Sequence, residues 1–284
     1  MENAENDDFH QYLLNAVAEK EASHKGDVTF VNGTGKRYRL HLTSSFYEGE
    51  EGGVIIQFTD ITEIEKVRKG KRDATVLFVT AMIMASLWNF VYAVWCFAGE
   101  PFPTARLTPI MHLMGMALFL VLWKKTDFSV FDMGLSFRNL KKNILINLVI
   151  TVIGFALMLG LRLLLGAVIP EYFAGKPVFS FAAQQPWQYA YYIPSVFVQQ
   201  FISQGVLHES LRRILDGPHK NAMALGLSVL IFGSMHMYYG LIYMIGAIIL
   251  LLAIGLIYAR QRSIWAICIP HYVLGTMLVV MGFI

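Results

Sequence analysis

The chain has 284 residues, of which 56% are hydrophobic and only 15% are charged, whereas soluble domains have about 25% charged residues. The apolar residues lie in long runs, which excludes an ordinary soluble enzyme and favours a membrane protein with several spans. The formal net charge is +3, but the basic residues lie between apolar runs, where membrane topology explains them better than nucleic-acid binding does.

The first 73 residues are polar and are predicted to form a small cytoplasmic α+β domain that ends in a basic linker. Alternating apolar and polar residues predict strands at 27–31, 38–44 and 54–58. The Asn-Gly-Thr-Gly sequence at 32–35 predicts a hairpin between the first two strands. A helix is expected to begin at 60–63, where Asp and Thr supply capping side chains.

This run of strands, closed by Asp60-Ile-Thr-Glu63 and a charged exit helix, resembles the C-terminal half of a PAS sensor domain. The resemblance covers about residues 10–66 and implies a partial PAS-like domain. The alternative reading is a small α+β cap that binds no ligand.

Residues 74–284 are predicted to form a helical membrane domain with seven spans. A span needs roughly 20 residues, and each apolar segment has about that length. The predicted segments are 75–98, 108–123, 143–169, 187–208, 221–239, 240–259 and 264–284.

The distribution of Lys and Arg predicts the orientation of these spans. The segments between spans fall into two alternating sets, one with fifteen Lys and Arg in total and the other with two. The set with fifteen is expected in the cytoplasm. We therefore expect an integral protein of a bacterial plasma membrane, with the N-terminus in the cytoplasm and the C-terminus outside.

Five ionisable residues in or beside the last four spans are candidates for a functional site, because burying such groups in a membrane is costly. They are His208, Glu209, Arg213, His236 and His271. Glu209 and Arg213 are spaced i, i+4, which predicts an ion pair on one helix face. A buried neutral imidazole suits His236 as a general base, and His271 is expected to donate to an oxyanion.

The order and spacing of these residues resemble the CPBP family of intramembrane proteases, which process CAAX proteins and bacteriocins. That family has the motifs Glu-Glu-x-x-x-Arg, Phe-x-x-x-His and His-x-x-x-Asn. We align them with His208-Glu209-x-x-x-Arg213, Phe232-x-x-x-His236 and His271-x-x-x-Gly275. The resemblance covers roughly residues 130–284 and implies a metal-independent peptidase in which a glutamate and a histidine activate water.

Two family residues are replaced in this alignment: His208 stands at the water-activating glutamate and Gly275 at the asparagine that helps to bind the oxyanion. The first hypothesis is an intramembrane peptidase acting on a peptide or protein in or near the membrane. The alternative is a catalytically impaired relative that binds a peptide or lipid and is coupled to the sensor-like head.

No cofactor is expected, and Zn²⁺ held by His208, Glu209, His236 and His271 is kept as a third reading. If the spans are straight, His208 and His271 each lie nine residues from the cytoplasmic end of their span, whereas His236 lies nineteen residues from the cytoplasmic end of its span. A shared site therefore needs a bent span or a fifth helix that begins outside the hydrocarbon.

Overall fold

The computed structural model describes residues 4–19, 24–47, 52–99 and 104–283. Two compact units make up the chain, Met1–Gly70 and Lys71–Ile284. Helix α2 (Thr62–Phe97) begins in the first unit and ends in the second.

The first unit contains a helix and an antiparallel sheet. Helix α1 (Asp7–Glu19) precedes strands β1 (His24–Val31), β2 (Arg37–Tyr47) and β3 (Gly53–Asp60), which pair in the order β1-β2-β3. The strands confirm the three predicted from alternation, whereas α1 was not predicted. A small core forms where α1 places Tyr12 and Ala16, one turn apart, against the buried face of the sheet; its members are Tyr12, Ala16, Val28 and Leu42.

The local signals at the strand ends act as expected. The side-chain oxygen of Asn32 accepts hydrogen bonds from the backbone N–H groups of Thr34 and Lys36, at 3.0 and 2.9 Å, and closes the predicted hairpin. Asp60 accepts from the backbone N–H of Thr62 at 2.9 Å, where α2 begins. Hydrogen bonds from Thr62 lower the pKa of Asp60, because they stabilise its charged form.

Ahead of α2, the described residues of the first unit form a short 3₁₀ turn (Ala4–Asn6), one α-helix and three strands. The PAS-like assignment needs more than this arrangement and stays a prediction.

The second unit is helical. After α2 it contains α3 (Thr104–Lys125), α4 (Leu140–Val168), α5 (Pro186–Gln200), α6 (Glu209–Ile214), α7 (Lys220–Ser234), α8 (Leu241–Gln261) and α9 (Ile264–Val280). A π-helical segment, Phe201–His208, joins α5 to α6, and a 3₁₀ turn, Met237–Tyr239, lies between α7 and α8. Helix α9 packs against α4, α5 and α8.

Each predicted apolar segment coincides with helix, but not every helix is long and apolar enough to cross a membrane. Among the described residues three helices meet both conditions: Thr62–Phe97, Leu140–Val168 and Tyr243–Gln261. Two further apolar helices are shorter, Lys220–Ser234 and Ile264–Val280. The structure thus supports a helical membrane domain, and the count of seven spans stays a prediction.

The π-helical segment lies deep in the second unit, and all eight of its residues are buried. Its Gly205 faces the loop before α4 so closely that a Cβ there would lie 2.8 Å from the backbone oxygen of Met133. The same loop is fixed to the start of α9, because the N–H of Ile264 donates to the carbonyl of Gly134 at 2.9 Å. A glycine therefore sets the distance between the segment and this loop.

We expect Gly205→Ala to lower the free energy of unfolding by about 1–3 kcal/mol, because backbone atoms must move to admit the methyl group. Gly226→Ala is the matched control: it lies within α7 with no atom within 4 Å of an added Cβ. That substitution should be neutral or stabilising by up to about 1 kcal/mol, since alanine favours helix. Denaturation of the purified protein in detergent measures both, and equal effects would contradict the close approach.

Candidate active site

Two of the three predicted histidines share one cavity. His236 follows the end of α7 and His271 lies inside α9, and both line a cavity of about 120 Å³. The lining described here includes no Asp, Glu, Lys or Arg. Its aromatic and polar members are Trp88, Thr108, Tyr192, Ser195, Gln199, Phe232, His236, Tyr238, Tyr239, Tyr243 and His271.

The hydrogen-bond partners of the two imidazoles differ in kind. Nδ1 of His236 lies 3.2 Å from the carbonyl oxygen of Phe232, which only accepts, so this nitrogen donates and Nε2 keeps its lone pair. The Gln200 amide is placed with Nε2 toward Nδ1 of His271, and in this placement Nε2 donates and the ring proton of His271 is assigned to its own Nε2. One ring thus offers an acceptor and the other a donor.

His208 and Glu209 lie elsewhere. His208 is buried and its Nδ1 is 3.0 Å from Oε1 of Gln204. It lines a second cavity of about 250 Å³ with Arg212, Asn221, Ala259 and Arg262. Neither His208 nor Glu209 lines the cavity of His236 and His271. The expectation that three imidazoles and a carboxylate meet in one hollow is therefore wrong.

The predicted pair of Glu209 with Arg213 is also wrong. Glu209 is fully buried and binds Arg212, with Nη2 3.2 Å from Oε2, and Arg262, which contacts Oε1. The i, i+3 neighbour on the same face and a cation from the turn after α8 take both carboxylate oxygens.

Arg213 turns instead to the loop before α4. Its Nη2 lies 3.3 Å from Oδ1 of Asp132, and its guanidinium lies over the ring of Phe128 at 4.1 Å. Partial burial raises the pKa of Asp132, but hydrogen bonds from Ser129 and the charge of Arg213 outweigh burial and lower that pKa below its ordinary value.

The motif that reaches the histidine cavity begins nine residues before the one chosen from the sequence. Gln199-Gln200-x-x-x-Gln204 has the spacing of Glu-Glu-x-x-x-Arg, with an amide at each charged position. Gln199 lines the cavity and Gln200 binds His271. The spacing alone identifies this frame once glutamine is allowed in place of glutamate.

Tyr192 occupies the space beside Gly275. A Cβ on Gly275 would lie 2.4 Å from the Tyr192 hydroxyl oxygen, and the Tyr192 ring stands edge-on to His271 with centroids 6.3 Å apart. A hydroxyl donor therefore lies next to the position of the family's asparagine. Sequence reasoning missed Tyr192 because it lies about eighty positions away on α5.

The donor set does not fit a metal ion. In the part of the chain that the structure describes, no three His, Cys, Asp or Glu side chains lie close enough together to hold one. The zinc reading needs His208 and Glu209 beside His236 and His271, and the structure separates these pairs.

Residues 153–277 match the family model described as Type II CAAX prenyl endopeptidase Rce1-like. The match runs from within α4 to within α9 and includes His208, Glu209, His236 and His271, although it covers less than half of the chain. It supports the resemblance to the CPBP family, and with the apolar helices it indicates an integral membrane protein. No curated protein and no solved structure matches the chain.

The corrected pairing of Glu209 can be tested with two double-mutant cycles. Glu209→Gln combined with Arg262→Gln should show a coupling energy of about 1–3 kcal/mol in unfolding, because the two groups are in contact. Glu209→Gln combined with Arg213→Gln should be additive within about 0.5 kcal/mol. Coupling to Arg213 that equals coupling to Arg262 would refute the observed pairs.

Proposed function

We propose that the second unit, Lys71–Ile284, is an Rce1-like membrane protein that binds a peptide segment between His236 and His271 without hydrolysing it. The observation that carries this proposal is the absence of a carboxylate from the described wall of the cavity. Gln199 and Gln200 stand where the resembled motif has glutamates. A neutral amide cannot take a proton from water, so the described wall lacks the glutamate that activates water together with a histidine in the resembled family.

The neutral groups suit a peptide backbone. A peptide unit presents one N–H donor and one C=O acceptor, and the site offers the lone pair of His236 and the N–H of His271. The Tyr192 hydroxyl adds another donor, and Trp88, Tyr239 and Tyr243 give an aromatic wall for apolar side chains. An ionic ligand would find no countercharge among the described lining residues.

A second candidate is an endopeptidase in which His236 alone activates water and His271 binds the oxyanion. The opposite proton positions of the two rings and the family match favour it. This candidate lacks the glutamate and the asparagine of the family's motifs. In other enzymes, loss of one oxyanion donor alone lowers the rate by about 10²–10³. The cavity geometry therefore supports binding better than turnover.

The coupling of this unit to the first one, the ligand of the PAS-like region, the bacterial membrane and the orientation of the termini remain predictions from the sequence.

The deciding experiment assays the purified full-length protein with a labelled peptide library. We expect the wild-type protein to bind peptides and to cleave them no faster than the His236→Ala variant does. Gln199→Glu restores a carboxylate at the cavity, and we expect it to raise cleavage by about 10²-fold over the His236→Ala level.

His208→Glu is the matched control, because it places a carboxylate in the other cavity and should give no gain. Peptide binding should weaken in His271→Ala. Wild-type cleavage that disappears in His236→Ala would establish the peptidase and overturn the proposal of binding alone.

A further inference from the structure

The second cavity has the composition of an anion site. It measures about 250 Å³ and is lined by His208, Arg212, Asn221, Ala259 and Arg262. Arg212 and Arg262 are about one-third exposed, so their guanidinium groups border a space that water can reach. This cavity is separate from the one that contains His236 and His271, and the inference does not depend on the proposed function.

The formal charges around this cavity do not cancel. Glu209, which is fully buried, is the only ion-pair partner that the described residues give to either arginine. Two guanidinium groups around one carboxylate leave one net positive charge. Glu209 uses Nε and Nη2 of Arg212 and Nη1 of Arg262, so each arginine keeps N–H groups for another acceptor.

Arg262 is held at this site against its backbone preference. Its φ of +53° lies in the left-handed region, at the position after α8 where glycine is the usual residue. A residue with a long side chain is strained in this conformation, and such strain is tolerated where the side chain has a role. Here the side chain contacts Glu209 and lines the cavity.

The start of α7 adds to the positive character of the cavity. Asn221 lies in the first turn of α7, whose N-cap residue His219 makes no side-chain capping hydrogen bond. The first N–H groups of a helix carry partial positive charge and favour anions nearby. Asn221 is exposed and its amide can donate to a ligand in the cavity.

We propose that this cavity binds a phosphate group, with Arg212 and Arg262 as its two cationic walls and Asn221 as a neutral donor. Guanidinium groups bind phosphate oxygens through paired hydrogen bonds, and phosphate satisfies several donors at once. The group can belong to an anionic lipid headgroup or to a soluble phosphate compound. The prediction that the α6–α7 and α8–α9 junctions lie on the cytoplasmic side puts it within reach of either.

The test measures the thermal unfolding midpoint of the full-length protein in phosphatidylcholine nanodiscs. One arm adds inorganic phosphate at constant ionic strength, and the other replaces part of the lipid with phosphatidic acid. We expect at least one arm to raise the midpoint of the wild-type protein. A rise with inorganic phosphate indicates a soluble ligand, and a rise with phosphatidic acid alone indicates a headgroup.

Asn221→Asp is the informative variant, because it adds a negative charge to the cavity without touching the ion pairs of Glu209. An Asp in the first turn also favours the helix, so the fold should not suffer. We expect phosphate or phosphatidic acid to bind this variant about tenfold more weakly. Asn221→Lys should bind phosphate or phosphatidic acid more tightly than the wild-type protein does.

Ala222→Asp is the matched control, with the same charge one residue further along the same turn and outside the cavity lining. Its binding should stay within about twofold of wild type, since an exposed charge is screened. No rise of the midpoint in either arm, or equal losses in Asn221→Asp and Ala222→Asp, would overturn the proposal.

Discussion

The second unit depends on how Gln200, His208 and Glu209, three polar side chains of one buried helical stretch, are paired. From Gln199 to Ser210 the chain carries glutamines, serines, a histidine and a glutamate, and all are buried. A buried polar group without a partner costs about 1–3 kcal/mol, and a buried charge without one costs more. The packing of α9 and of the turn after α8 against this stretch is therefore constrained by the contacts of Gln200 with His271 and of Glu209 with Arg262, as well as by volume.

These partners divide into two kinds, which gives the unit two different sites. At the Gln199 end the partners are neutral, since Gln200 binds His271 and the described wall has no charged side chain. At the Glu209 end they are charged, since Arg212 and Arg262 bind the carboxylate. A neutral site suits a peptide backbone, and a site with excess positive charge suits an anion. Glu209 is the one buried carboxylate of the stretch, and it is bound by Arg212 and Arg262 outside the cavity of His236 and His271. The peptidases that this unit resembles need a carboxylate at their active-site cavity.

Local patterns in the sequence predicted local structure well. The three strands, the hairpin at Asn32 and the helix beginning near Asp60 follow from alternation and capping, which involve neighbouring residues. The seven apolar segments also coincide with helix, because a run of apolar residues is likewise a pattern of neighbouring residues. His236 and His271, which the motif spacing assigns to one candidate site, line the same cavity.

The errors concern contacts between distant residues. The spacing of Glu209 and Arg213 predicted a pair, but Arg262 lies more than fifty residues away and no local pattern connects it to Glu209. The glutamate at position 209 favours a motif frame that begins at His208, whereas the frame that reaches the cavity carries glutamine at 199 and 200. The π-helical segment interrupts the α-helical hydrogen-bond pattern between α5 and α6, and hydrophobic periodicity does not reveal it.

The central claim is that fixed neutral partners give His236 and His271 opposite ring tautomers, so that one accepts and the other donates. The most direct measurement is ¹⁵N NMR of the protein labelled at histidine, with signals assigned through His236→Gln and His271→Gln. The account predicts a proton on Nδ1 of His236 and on Nε2 of His271. The same tautomer in both rings, or a doubly protonated ring, would contradict it.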